Sequence, residues 1–439
     1  MGCSVGMLKG LNEMHESWAK ELYGFYSREL KDNILRFWLP RCLDKEFGGY
    51  LNCFDNRGKN LVSHDKYVWS QGRFLWMFSK LAVTKAPLFS EQERSRFQGL
   101  AANGYEFLRR HCLMGENDWR CIFLLNRDGS PKKVGDYDTL DMSIYADCFV
   151  VIGMAAYSIA SGNEEAYRFG KTLYESIKDR VKSGVFNTLP YPLDPAYRAH
   201  GIPMILTNVA KELYEAARIY DKLYCAELLS DMECTATDVI TNFMDQNHLI
   251  HEVISKDNKP VYGLLGQHIN PGHSIEDSWF IYDAAKLLGK PELAQTAACI
   301  MKESFKKGWD NQFQGILHFV NLEGDSLEFA SNSTEPTVTL VKGGWGDKLW
   351  WVHSETLYAS LLFYLYTNDE EYMRIHNVTS EYVFGHFVNP DKEIGEWIQI
   401  LTREGLPQDK VVALPVKDPF HITRNLLLIC ELLFPQTTE

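Results

Sequence analysis

The stretch Phe47-Gly48-Gly49-Tyr50, running through short alternating residues to Asp55-Asn56-Arg57-Gly58, reads as two strands joined by a turn. The same grammar returns four times. Trp119 to Leu125 leads to Asn126-Arg127-Asp128-Gly129, and Leu249 to Ile254 leads to Asp257-Asn258-Lys259. Ile316 to Asn321 leads to Glu323-Gly324, and Glu396 to Leu401 leads to Arg403-Glu404-Gly405. Each is expected to form a local two-stranded ribbon. Helical patterns fill the intervals. Between Trp18 and Trp38, residues Trp18, Leu22, Phe25, Tyr26, Leu30 and Ile34 share one face. Similar segments begin near Lys66, Ser90, Tyr145, Glu164, Ile202, Tyr220, Pro271, Pro291, Leu349, Asp369 and Pro419. One slot, Phe186 to Tyr197, is Pro-rich and irregular instead. About twelve helices, with a ribbon roughly every 65 to 80 residues, point to stacked or circularly arranged helix pairs. Six pairs that close on themselves give an all-α (α/α)6 barrel with short β-hairpins at the loop end; an open solenoid is the competing arrangement. No linker composition cuts the chain, so one domain is expected over 1–439, with its core at about 18–434.

Composition narrows the function. Lys and Arg number 45 against 58 Asp and Glu, a formal charge of −13 that makes the chain a poor partner for phosphate backbones, so no nucleic-acid role is expected. Hydrophobic residues at 45% and charged residues at 23% exclude a disordered chain. Aromatics at 13% suit a cleft that stacks on ring-shaped ligands. No apolar run is read as approaching the roughly 18 residues of a membrane span, and no membrane partner is expected. Ten cysteines without a Cys-x-x-Cys pair read as reduced thiols of a cytoplasmic protein. Met1-Gly2-Cys3-Ser4 hints at acylation, but Gly6 stands where Ser or Thr is required, so no lipid anchor is expected.

Polar residues mark the starts of alternate helices: Arg73, Asp147, Asn208, His273, His353 and His421, 61 to 80 residues apart. In a barrel these would be inner helices whose N-termini converge on one mouth. Asn270-Pro271-Gly272-His273 and Asp418-Pro419-Phe420-His421 both read as N-cap, Pro at N1 and His at N3. The positive end of a helix disfavours imidazolium, so each His is expected to be neutral and able to take a proton. The bland alternative is that such a His only satisfies local hydrogen bonds. Glu276 and Arg424 each follow a His by three residues on the same face. Arg73 lies among aromatics that include Trp69, where it could stabilise an oxyanion while the rings stack on a sugar; a surface Arg covering an aromatic patch is the alternative. His353 and Glu355, two apart, point to different faces of their helix. His273, Glu276, His353 and His421 could assemble a metal site, but no ligand motif supports one and no metal is expected. P-loop and dinucleotide-binding motifs are lacking.

Several segments together resemble the N-acylglucosamine 2-epimerase family, from about Trp38 to Leu433. The most specific are Asp65-Lys66-Tyr67-Val68-Trp69-Ser70-Gln71-Gly72-Arg73, Tyr145 to Phe149, Ile202 to Asn208, Ile269 to Glu276, Lys348 to Glu355, Gly395-Glu396-Trp397 and Phe420 to Arg424. The resemblance implies an (α/α)6 barrel and interconversion of C2 epimers such as N-acetylglucosamine and N-acetylmannosamine. It implies His273 and His421 as the acid/base pair and Arg73 as the enolate contact. It assigns substrate contacts to Glu276, His353, Glu355, Arg424 and Asn208. No cofactor is required for such chemistry. Family members are often modulated by ATP and many are homodimers, so ATP is expected only as an allosteric modulator. Close members carry Trp-Lys-Gly-Cys before Phe-His, whereas this chain has Val416-Lys417-Asp418-Pro419, and the expected Val-Pro-Arg is Ile422-Thr423-Arg424. These departures bear on the substrate, not on the proton chemistry. The rival readings are an aldose–ketose isomerase on the same scaffold, a glycoside hydrolase using Glu276 and Glu355, and a sugar-binding protein without turnover.

Overall fold

A computed structural model describes residues 17–323 and 335–435. The acylation motif at Gly2 and the turn residue Gly324 lie outside the described residues. Twelve long helices follow the predicted segments: α1 (residues 17–38), α2 (Val68–Val83), α3 (Glu91–His111), α4 (Ile144–Ser161), α5 (Glu164–Ser183) and α6 (Gly201–Tyr220), then α7 (Cys225–Asp238), α8 (Pro271–Leu288), α9 (Pro291–Gly308), α10 (Trp350–Thr367), α11 (Glu370–His386) and α12 (Phe420–Leu433). Short helices at Leu264–Gln267 and Pro336–Gly344 sit in the loops. The even-numbered helices pack in order, and α12 returns to α2, closing an inner ring of six. The odd-numbered helices form the outer layer, and α1 covers α12, so the first and last helices make the closing pair. The solenoid alternative, which would leave two open ends, is thereby excluded.

The sequence of each layer explains its place. The outer helix α5 buries Ala166, Tyr167, Gly170, Leu173, Tyr174 and Ile177 at helical spacing and turns its charges outward. Asn163 caps its start by accepting from Ala166 N–H at 3.1 Å, and Gly184 ends it at φ 72°. Inner helices are covered on every side: α10 is buried continuously from Trp350 to Tyr364. Helix α4 corrects one expectation. Its 18 residues are long and apolar enough to cross a membrane by length and composition, but 78% of them are buried in the barrel wall. Helices α2 and α4 touch along Gly72 and Gly153, where an added Cβ would meet Phe149 O at 2.4 Å and Gly72 O at 2.6 Å. This close approach sets Arg73 against Phe149.

The ribbons differ from the expected local hairpins. A local ladder forms between Leu113–Gly115 and Asp118–Cys121. The other ladders join successive repeats: Lys66–Tyr67 pairs with Leu124–Leu125, Tyr197–Ala199 with Val253–Ser255, His268–Ile269 with Val320–Asn321, and Lys348–Leu349 with Ile400–Leu401. In each pair the strand entering an inner helix takes its partner from the following ribbon. The predicted turns survive as single bridges such as Leu125↔Pro131, Ile254↔Pro260 and Leu401↔Pro407. A proline on the returning arm has no N–H to extend a ladder, which leaves the first arm free to pair elsewhere. The irregular slot keeps the same link as one bridge, Ser143↔Thr188.

Candidate active site

An open cavity occupies the mouth at the N-terminal ends of the inner helices. Trp69 and Arg73 reach it from α2, His273 and Glu276 from α8, Trp351 from α10, and His421 and Arg424 from α12. The loop carrying Val412 to Asp418 supplies one wall, and Tyr145 and Tyr191 supply another. Three of the six polar markers therefore line this cavity: Arg73, His273 and His421. Asp147 instead binds Arg180 at 2.5 Å and Cys121 N–H at 3.1 Å behind α4, where burial raises its carboxyl to about 6. Asn208 lines a separate polar cavity with Lys80, Lys211 and Asp283, on the far side of Arg424. His353 is wholly buried in the wall. Its Nδ1 donates to Leu349 O at 2.7 Å and its Nε2 accepts from Ile316 N–H at 2.9 Å, so neither nitrogen faces the cavity.

The two cavity histidines are held differently. Asn270 caps α8 by accepting from His273 N–H at 3.3 Å, with Pro271 at the first helical position, as the motif predicts. At α12 the parallel fails. Pro419 is itself the cap residue, Asp418 Oδ1 accepts from Phe420 N–H at 2.8 Å, and His421 is the second helical residue. Both imidazoles place Nδ1 on a carboxylate: His273 on Glu252 at 2.9 Å, His421 on Glu355 at 2.7 Å. An Nδ1–H donating to a carboxylate leaves the Nε2 lone pair as the basic site of the neutral ring. Burial pushes the His421 imidazole well below the usual range against the pull of Glu276, and the Arg73 and Arg424 guanidiniums add to the shift. The Trp351 ring contacts both imidazoles, 5.4 Å from His273 and 5.5 Å from His421, so their centroids lie no farther apart than the sum of those spacings. Helix α8 comes this near to α10 because Gly272 has no side chain: a Cβ there would lie 2.6 Å from the Trp351 ring.

Glu276, on the same face as His273, turns the other way. It pairs with Arg424 and lies 3.7 Å from His421 Nδ1. Arg424 also binds Glu355 at 2.5 Å. Glu355 accepts further from Trp279 Nε1–H at 2.9 Å and Asn425 at 2.8 Å, and it is fully buried. A group so enclosed cannot reach a glycosidic oxygen, which removes the Glu276–Glu355 pair as a hydrolase's carboxylates. Arg73 pairs with Asp418, and its guanidinium lies 4.0 Å from the Phe149 ring, 5.1 Å from Trp69 and 5.0 Å from Phe420. Burial lowers its pKa while Asp418 opposes the shift.

Three groups come from outside the motifs. Glu252 orients His273, His200 lies beside Glu252 at 3.4 Å, and Asp277 accepts from His200 Nε2–H at 2.8 Å. Asp418, read in the sequence only as a helix cap, adds a fourth group through its ion pair with Arg73. His200, Glu252 and His273 stand close enough to hold a metal ion, as do Glu276, Glu355 and His421. In these sets both nitrogens of His200 face carboxylates, and Arg424 lies between the two glutamates.

Residues 49–424 match the profile of the N-acylglucosamine 2-epimerase (GlcNAc 2-epimerase) family. The chain is 30% identical over 411 residues to an N-acylglucosamine 2-epimerase from Bos taurus, covering 93% of this chain and 90% of that one. Its fold is similar to that of a cellobiose 2-epimerase from Bacillus thermoamylovorans, with a TM-score of 0.74 at 19% identity over 94% and 99% of the two chains. A D-mannose isomerase gives a TM-score of 0.72 at 17% identity over 92% and 97%. The chain belongs to the N-acylglucosamine 2-epimerase family.

Proposed function

We propose that the protein is a sugar 2-epimerase that interconverts N-acetylmannosamine and N-acetylglucosamine. The observation that carries this reading is the pair of carboxylate-backed imidazoles that share one cavity and both contact Trp351. The ring-opened sugar has an acidic C2–H beside its aldehyde. One imidazole takes that proton at Nε2, and the electron pair moves into an enolate whose C1 oxygen lies against Arg73. The opposite imidazole, which enters the step as imidazolium, delivers its Nε2 proton to the other face of C2, so the centre inverts and the two rings exchange charge. In the reverse direction the two exchange roles. General acid/base help contributes roughly 10²–10⁴-fold and an oxyanion donor roughly 10²–10³. Trp69 and Trp351 offer apolar faces for the sugar. The N-acetylated substrate is favoured because the bovine relative, at 30% identity, carries that activity in its name.

Incubation with N-acetylmannosamine in D2O, with and without ATP, tests the reading. The expected product is N-acetylglucosamine deuterated at C2. Mannose and cellobiose serve as competing substrates. A ketose product from mannose would favour the isomerase reading, and no turnover of any sugar would sink both. His273→Asn and His421→Asn should each lower turnover by about 10²–10⁴-fold with the fold intact by circular dichroism.

A further inference from the structure

His200 opens α6 outside the substrate cavity, yet it is locked to the histidine that lines it. Its main-chain N–H donates to Glu252 O at 3.0 Å. Its Nδ1 faces Glu252 Oε1 at 3.4 Å and its Nε2 faces Asp277 Oδ2 at 2.8 Å. Glu252 uses its other oxygen, Oε2, on His273 Nδ1 at 2.9 Å. His200 and Asp277 are fully buried, and Glu252 is 9% exposed. A neutral imidazole has one N–H, so it cannot donate to two carboxylates; only imidazolium satisfies both. The groups facing His200 are Glu252, Asp277 from α8, the His273 ring at 6.5 Å and the uncharged Phe243 at 6.0 Å, so nothing cationic displaces the proton while His273 is neutral.

We propose that His200 is a positioning residue charged at neutral pH, clamped between Asp277 and Glu252, which keeps Glu252 as the acceptor of His273 Nδ1–H and so points a basic Nε2 at the sugar. Although desolvation opposes it, the Asp277 and Glu252 carboxylates raise His200 to about 9 and Glu252 is held as an anion, in agreement with the geometry. Two carboxylates and one imidazolium leave one net negative charge behind His273. His421 faces Glu276, Glu355 and Asp418 together with the Arg73 and Arg424 guanidiniums. The role of this chain of groups in turnover rests on the epimerase reading; the charge of His200 does not.

Nitrogen-15 NMR of the histidine side chains of the full-length protein decides the charge. Both His200 nitrogens should stay protonated through pH 8, and in Asp277→Asn the second proton should be lost at lower pH. A His200 that carries one proton at pH 7 overturns the proposal. In turnover, Glu252→Gln keeps an acceptor but removes the charge, so the acid limb of kcat/KM should move about one unit to lower pH. Asp277→Asn, by discharging His200 and leaving Glu252 uncompensated, should move the limb to higher pH. In both variants kcat falls with KM little changed. A residue that only supported the fold would lower the active fraction without moving either limb, and unmoved limbs overturn the positioning role. If His273→Asn retains turnover, the acid/base assignment falls, while the nitrogen shifts still decide the His200 charge.

Discussion

Arg73 commits one nitrogen to Asp418 and its flat face to three aromatic rings, which leaves its remaining donors for a ligand in the cavity. A lysine at this position would keep the charge but not the planar fork or the stacking. Arg73→Lys should therefore lower kcat by about 10²–10³-fold, the effect of losing a directed oxyanion donor, with a smaller change in KM. An unchanged kcat would remove Arg73 from the enolate step. Legibility at this scale depended on locality. Arg73, His273, His421 and Glu276 stand in short motifs whose spacing on one helix suggests shared work. Glu252, His200 and Asp277 meet across 21 to 77 residues of chain and share no motif. His353 shows the opposite case, since its place in a motif reflects a main-chain hydrogen bond to the neighbouring repeat rather than contact with the cavity.

Elements are joined by two devices that recur around the ring. The first is the ladder between successive repeats, and beneath it lies a buried lysine. Lys66 Nζ contacts Asp44 at 3.0 Å and Arg127 O at 2.5 Å, while Arg127 closes on the same Asp44. Lys348 repeats the arrangement with Asp310 at 3.4 Å and Arg403 O at 2.5 Å, and Arg403 closes on Asp310. Each lysine bonds one arm of the ladder to the turn that follows the other arm. Its loss leaves a buried carboxylate with a half-exposed arginine as its remaining cation. Lys66→Met and Lys348→Met should each cost about 3 kcal/mol of stability, measured as a lower urea midpoint with an unchanged slope. A change below about 0.5 kcal/mol would show that these lysines do not tie the repeats together. The second device is the glycine contact between α2 and α4. Gly72→Ala places a methyl group 2.4 Å from a backbone oxygen that cannot move aside on its own, so the helices must part. An overpacking cost of about 1–3 kcal/mol is expected, again from denaturant midpoints. The turns were legible in the sequence because Asn, Asp and Gly carry their own backbone preference. The strand partners were not, because pairing across a repeat is set by where the inner helices lie in the ring.

At the scale of the whole molecule, the period of the pattern and the apolar inner helices determine a closed ring, and α12 and α1, the last and first described helices, make its closing pair. Such a ring buries titratable groups in its wall, and its stability must follow their protonation. Burial lowers His318 and His353 to about 3 and His376 to about 4. These rings are neutral in the folded state. Their contribution is complete above about 6.5, the value in an unfolded chain, and is lost as pH falls toward 3 to 4. Each can remove up to about 1.4 kcal/mol per pH unit across that window. His200 acts in the other direction. Against desolvation, its two carboxylates raise it to about 9, so its contribution is complete below about 6.5 and is lost as pH rises toward 9. Asp44 and Asp310, held at about 2 against desolvation by their arginine and lysine partners, begin to lose their contribution only below about 4. The interval from 6.5 to 4 therefore belongs to the buried histidines, opposed by Asp147. Melting temperature measured at low salt should peak near pH 6.5 and fall on both sides. The alkaline fall should flatten in Asp277→Asn, because His200 then sheds its proton nearer to the unfolded value. A melting temperature that stays level between pH 6.5 and 4.5 would mean that water reaches these imidazoles and that the wall is not closed around them.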